Sequence, residues 1–122
     1  MRILWIVGIG ALLIIGSLLF KQTYILTLVK GDSMAPILHN NDLGIVRKID
    51  RPEKLQVGDI VLAWDTHDIL VIKRIAGKRY GGDDYWFFLL GDNYIISEDS
   101  RSLGWINGWR VKGILVRPKG KK

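Results

Sequence analysis

Three short segments carry residue types suited to covalent or proton-transfer chemistry. In Lys30-Gly31-Asp32-Ser33-Met34-Ala35-Pro36, a serine follows a β-branched apolar stretch and the segment closes on a proline. Such a turn projects a hydroxyl and leaves backbone N–H groups free to meet an oxyanion. Gly-Asp-Ser is also an ordinary turn sequence, so the segment alone decides nothing. In Val71-Ile72-Lys73-Arg74-Ile75, two cations interrupt an apolar run. Strand alternation puts Lys73 on one face with Val71 and Ile75, and Arg74 on the other with Leu70 and Ile72. Both faces are apolar, so periodicity leaves open which cation is buried. Chemistry separates them: Arg stays charged, whereas a desolvated Lys can lose its proton and act as a base. A snorkelling surface Lys is the bland alternative. The third segment, Leu90 to Gly104, is a long polar loop containing Asp92, Asn93, Ser97, Glu98, Asp99, Ser100 and Arg101. Long ordered loops of this density are often functional.

Other chemistries are poorly served. The chain has no Cys, which excludes a disulfide scaffold, a thiolate metal site and a Cys nucleophile. Its two histidines, His39 and His67, lie in turn-like stretches without metal-ligand spacing, and no Gly-rich phosphate loop is present. No metal or organic cofactor is expected. Net charge is +6, from 18 Lys+Arg against 12 Asp+Glu. The basic residues are scattered and match no nucleic-acid reader, so no nucleic-acid partner is expected. The basic end, Arg117 to Lys122, reads as a solvated tail or as a contact for anionic lipid headgroups.

These segments must be positioned by the rest of the chain. Ile3 to Phe20 carries no charge, and its eighteen residues make about 27 Å of helix, enough to span a bilayer. Residues 1–20 are therefore expected to be an N-terminal transmembrane anchor. A cleaved secretory signal is the alternative, but Ser17-Leu18-Leu19-Phe20-Lys21 offers no small-x-small cleavage site. Flanking charges are nearly balanced and do not set orientation. Residues 21–122 form the second unit. Short β-branched or aromatic runs at 22–29, 43–49, 59–64, 69–75, 85–90 and 111–117 are bounded by Gly, Asn, Asp or Pro. The prediction is a mainly β domain, a small sandwich or barrel-like fold. Trp86, Phe87 and Phe88 are expected in its core, with immersion in a membrane surface as the alternative.

In this order and behind such an anchor, the three segments resemble the type I signal peptidase family. Gly31-Asp32-Ser33-Met34-Ala35-Pro36 resembles that family's nucleophile segment. Lys73-Arg74-Ile75-Ala76-Gly77 resembles its Lys-Arg segment. Gly91-Asp92-Asn93, Ser97, Asp99-Ser100-Arg101 and Gly104 are similar to its third segment, and Gly58-Asp59-Ile60-Val61 to its Gly-Asp strand. The resemblance implies a membrane-bound Ser-Lys endopeptidase that removes signal peptides from exported precursors after small residues. Ser33 would be the nucleophile and Lys73 the general base. Ser97 would orient the Lys73 amine, and Asp99 and Arg101 would form a supporting ion pair. The lysine marks the bacterial and organellar branch.

Two departures qualify that picture. Some members have a Ser two residues before the nucleophile as an oxyanion donor; here that position is Gly31. The backbone N–H of Ser33 would then be the obvious donor. Only 13 residues separate Gly77 from Gly91, so the large insertion domain of some members is missing. Short forms also resemble dedicated maturation proteases, such as those acting on nickel superoxide dismutase, and the mitochondrial inner-membrane peptidases. A non-catalytic anchored binding domain is the rival from another class. The resemblance further implies partners in signal-peptide-bearing precursors and the lipid bilayer. It places the N-terminus in the cytoplasm and the catalytic domain on the exported face of the plasma membrane. Oligomeric state is not legible.

Overall fold

The computed structural model describes residues 2–93 and 98–118. The chain starts with helix α1 (Arg2–Thr23), three residues longer at its end than the charge-free run. The described side chains of α1, at positions 6–16 and 23, are almost all exposed. Among the described residues no helix is long and apolar enough to cross a membrane. The transmembrane helix expected over residues 1–20 is thus not found here: the described apolar stretch falls short of the ~20 residues a bilayer core requires.

After α1, seven strands form among the described residues: β1 (Tyr24–Leu28), β2 (Leu43–Lys48), β3 (Ile60–Trp64), β4 (Leu70–Gly81), β5 (Asp84–Leu90), β6 (Ile106–Asn107) and β7 (Val111–Arg117). A four-residue helix, α2 (Ser100–Leu103), precedes β6, and 3-10 turns occupy Pro52–Lys54 and Gly108–Arg110. All pairings are antiparallel, in the order β1-β2-β7-β3-β4-β5-β6. The domain is mainly β, as expected; of the two expected forms, sandwich or barrel-like, it is nearer to the barrel-like one, with one curled sheet in place of two facing sheets. The register shifts at Ile45/Val46, Leu62/Ala63 and Ile75/Gly77, and such bulges bend strands and deepen their twist. A single sheet can then wrap its own core.

Six of the strands lie where turn residues bound apolar runs. The fourth runs on past Ile75 to Gly81, because Ala76-Gly77-Lys78-Arg79 continues in pairing, up to Gly81 opposite Asp84. Of the aromatic run, Phe87 is fully buried beside Leu55, Val61, Ile75, Leu89 and Ile106. Trp86 and Phe88 face the other way, and Phe88 packs against Trp105 with ring centroids 5.2 Å apart. A second cluster, Val29, Met34, Leu38 and Ile60, is joined by Ile72 and Leu115. With clusters on both sides, β3 is buried at four of its five positions.

Candidate active site

Ser33 lies in the 29–42 connection between β1 and β2, and that connection is tied to itself. Val29 N–H donates to Asp42 O and Asn41 N–H to Val29 O, each at 2.8 Å. Gly31 N–H donates to Asn40 Oδ1 at 2.9 Å, and Asn40 N–H to Asp32 Oδ1 at 3.1 Å. Met34 and Leu38 anchor the loop from below in the second cluster. Gly31 adopts φ +80°, a left-handed conformation that glycine takes freely and that a Ser would strain by roughly 1–2 kcal/mol. A serine hydroxyl at position 31 therefore conflicts with this backbone. Among the described residues, no acceptor engages the Ser33 backbone N–H.

Lys73 projects from β4 opposite Val61 of β3 and is only 5% exposed. Burial pushes its pKa below the ordinary 10.5, and the positive charge of Arg101 adds to the shift. Asp99, Asp65 and Glu98 oppose it. Ser33 and Lys73 line the same cleft of about 420 Å³, together with Met34, Leu62, Asp65 and Ile72. Glu98 stands at this cleft as well.

Arg74, on the opposite face of β4, is held by Asp92. Its Nε and Nη2 donate to Oδ1 and Oδ2 of Asp92, both at 2.9 Å, and its Nη1 donates to Gly58 O at 2.9 Å. The segment carrying Asp92 grips the serine loop in turn. Asn93 N–H donates to Ser33 O at 2.8 Å and Asn93 Nδ2 to Asp32 O at 3.2 Å. Asp92 N–H meets Met34 Sδ at 3.4 Å. A continuous line of contacts thus runs from the residue after Lys73 to Ser33. Sequence reasoning assigned no role to Arg74, Asp92 or Asn93; the only local hint was the crowding of hydrogen-bonding side chains after Gly91.

Asp99 is buried and caps α2. Its carboxylate accepts Gly91 N–H at 3.0 Å, Arg101 N–H at 3.1 Å, Arg101 Nε at 2.9 Å and Arg101 Nη2 at 3.1 Å. The expected Asp99–Arg101 pair therefore forms, but asymmetrically: the Arg101 side chain is 44% exposed. Ser100, also unassigned from sequence, accepts the buried Leu89 N–H at 2.9 Å and fastens the loop to β5. Ser97 lies outside the described residues. His39 and His67 are both exposed and neither lines the cleft.

Residues 70–73 of β4 pair with β3 on one side, whereas pairing with β5 starts only at Arg74. Beyond β1, the last strand of the sheet, no described strand lies. Thr27 to Lys30 and Ile69 to Lys73 both line the cleft, so a serine and a buried lysine share it with two stretches of strand edge that no described strand pairs. Residues 2–84 match the sequence profile of the family described as signal peptidase, peptidase S26. That match covers the serine and lysine segments and ends before the Gly91–Gly104 loop. No curated protein matches the chain.

Proposed function

The chain belongs to the signal peptidase, peptidase S26, family, a family of serine peptidases, and from that premise we propose that it cleaves signal-peptide-bearing precursors with a Ser33–Lys73 dyad. The observation that carries this reading is the shared cleft: one hydroxyl and one desolvated amine open onto the same apolar-floored space. Neutral Lys73 takes the Ser33 proton as Oγ attacks the scissile carbonyl. The Ser33 N–H meets the oxyanion. The ammonium then gives its proton to the leaving amine, and water, deprotonated by the regenerated Lys73, releases the acyl group from Ser33. Ser97, Asp99 and Arg101 support the lysine side of the site, and Asp92 and Asn93 the serine side.

An extended substrate fits along these unpaired edges, hydrogen-bonding to main chain in the manner of an added strand. The floor of Val29, Met34 and Leu62 is buried and apolar, which favours small apolar side chains beside the scissile bond. The charge-free run in α1, taken with the family, supports anchoring by residues 1–20, with residues 21–122 as the catalytic unit on the exported face of the plasma membrane. Strand β1 then sets the cleft about 17 Å from the end of α1, well inside the ~45 Å that thirteen extended residues after Phe20 allow.

Purified full-length chain in mixed micelles, incubated with a signal-peptide precursor, should release a mature product whose new N-terminus follows a small residue. Ser33→Ala should abolish the product without changing the thermal transition, and Phe at the residue before the cut should block cleavage. Product formation by Ser33→Ala would remove the proposed nucleophile.

A further inference from the structure

Arg110 ends the 3-10 turn that leads into β7, next to Val111, which pairs with Ala63 of β3. Its guanidinium reaches the turn that joins β3 to β4. Nη1 donates to Asp65 O at 2.8 Å and to Asp68 Oδ1 at 2.9 Å. The two bonds are unequal. The Asp68 side chain is 82% exposed, and exposed ion pairs contribute little. Asp65 is only 7% exposed, so a charge-assisted bond to its carbonyl fixes a position. The turn itself is one knotted piece. Asp65 N–H donates to Ile69 O at 2.9 Å, and Asp68 N–H to Asp65 O at 3.0 Å. Asp65 Oδ1 accepts His67 N–H at 2.8 Å and Ile69 N–H at 3.0 Å. What holds Asp65 therefore holds Ile69.

Ile69 opens the stretch of β4 that lines the cleft with Ser33. From Leu70 to Lys73 that stretch pairs with β3 alone, and β5 joins only at Arg74. Counting from the Asp65–Ile69 bond, Ala63 and Val71 are the next bonded pair. Leu70 and Ile72 then turn their N–H and C=O groups to the unpaired side. Such a one-sided edge frays from its tip unless the tip is tied. At the far end, Arg74 is gripped by Asp92 and by β5, and Lys73 sits beside it. At the near end, Arg110 ties the tip to the start of β7.

We propose that Arg110 is a positioning residue for substrate binding: by holding Asp65 O it fixes the near end of the Leu70–Ile72 edge, so that an extended substrate meets a preformed main-chain partner. The inference rests on reading that edge as a substrate wall of a Ser33–Lys73 peptidase. It separates affinity from chemistry, because Lys73 is held from the Arg74 side.

The test follows precursor cleavage by full-length chain in mixed micelles. Arg110→Ala should raise KM about tenfold, the equivalent of one charge-assisted hydrogen bond. Its kcat should stay within about twofold of wild type, as expected when only binding is lost. The pH profile of kcat should not move. Both bonds leave one nitrogen, so an ammonium can replace it, and Arg110→Lys should recover most of the wild-type KM. Asp68→Asn removes only exposed charge and should leave KM near wild type. Hydrogen exchange at the Ile69 and Val71 amides, which needs no turnover, should quicken in Arg110→Ala and not in Asp68→Asn. Arg110→Gln should change KM in the same direction as Ala, and it carries the test if Arg110→Ala does not fold. A purely structural arginine would lower the thermal transition and leave KM where it is; that result would overturn the proposal, and Ser33-dependent cleavage would leave the peptidase reading standing. A fall in kcat with a displaced pH profile and unchanged KM would also overturn it. If the wild-type chain cleaves no precursor, the peptidase reading fails and the role given to Arg110 falls with it.

Discussion

Lys73 is a cation buried where a cation lowers stability. Its pKa in the folded chain lies below 10.5, so between that depressed value and 10.5 the unfolded chain binds a proton that the folded chain does not. Stability therefore climbs with pH through that window, and below it the full penalty is present. Lys73→Met should accordingly raise the thermal midpoint at neutral pH, and the advantage should shrink as pH approaches 10.5. A Met variant no more stable than wild type at neutral pH would argue against a desolvated amine. Which of Lys73 and Arg74 is buried was not legible in the strand alternation, because both faces of β4 are covered. Arg74 finds its partner 18 residues away in Asp92, a pairing that no local pattern encodes. Lys73 could be distinguished only by the chemistry of its side chain.

At the scale of elements, the loop after β5 acts as a latch between the serine loop and the Lys73-Arg74 strand. Asp92→Asn leaves Arg74 without its bidentate carboxylate in a site where both side chains are about one-fifth exposed. The expected loss is about 3 kcal/mol, with activity falling because Asn93 no longer holds the serine loop in register. Within the latch the two members of the ion pair should not be equivalent. Arg101→Ala removes a half-exposed partner and should cost about 1 kcal/mol. Asp99→Ala strips the buried Gly91 N–H and the α2 cap of their acceptor and should cost about 2–4 kcal/mol. Urea unfolding of both variants checks the order; equal losses would mean that the capping role of Asp99 is minor. The strands themselves were legible, since alternating or β-branched runs end at Gly, Asn and Asp. The two residues of β6 carry no such signal. The closure into one sheet was hidden too, because bulges at Ile45/Val46, Leu62/Ala63 and Ile75/Gly77 depend on pairing across the sheet.

At the scale of the whole molecule, both core clusters are built, among the described residues, without any side chain of α1. Removing residues 1–23 should therefore leave the thermal transition of the sheet within a few degrees of that of the full chain. The truncated protein should still cleave a soluble peptide but should lose most of its activity on membrane-borne precursors, where the anchor supplies effective concentration. Equal activity on such precursors would contradict anchoring. A reporter fused after Lys122 should lie on the exported side.

The central claim is that Lys73 works as a neutral amine. Arginine keeps the charge and much of the bulk but supplies no neutral base at any usable pH. Precursor cleavage by wild type and Lys73→Arg, followed from mildly acidic to alkaline pH, tests the claim most directly. Wild-type cleavage should rise with pH through the depressed lysine pKa, giving an alkaline-leaning profile. Lys73→Arg should show no cleavage at any pH while keeping a folded thermal transition. Appreciable cleavage by a stable Lys73→Arg protein would contradict the Ser-Lys mechanism.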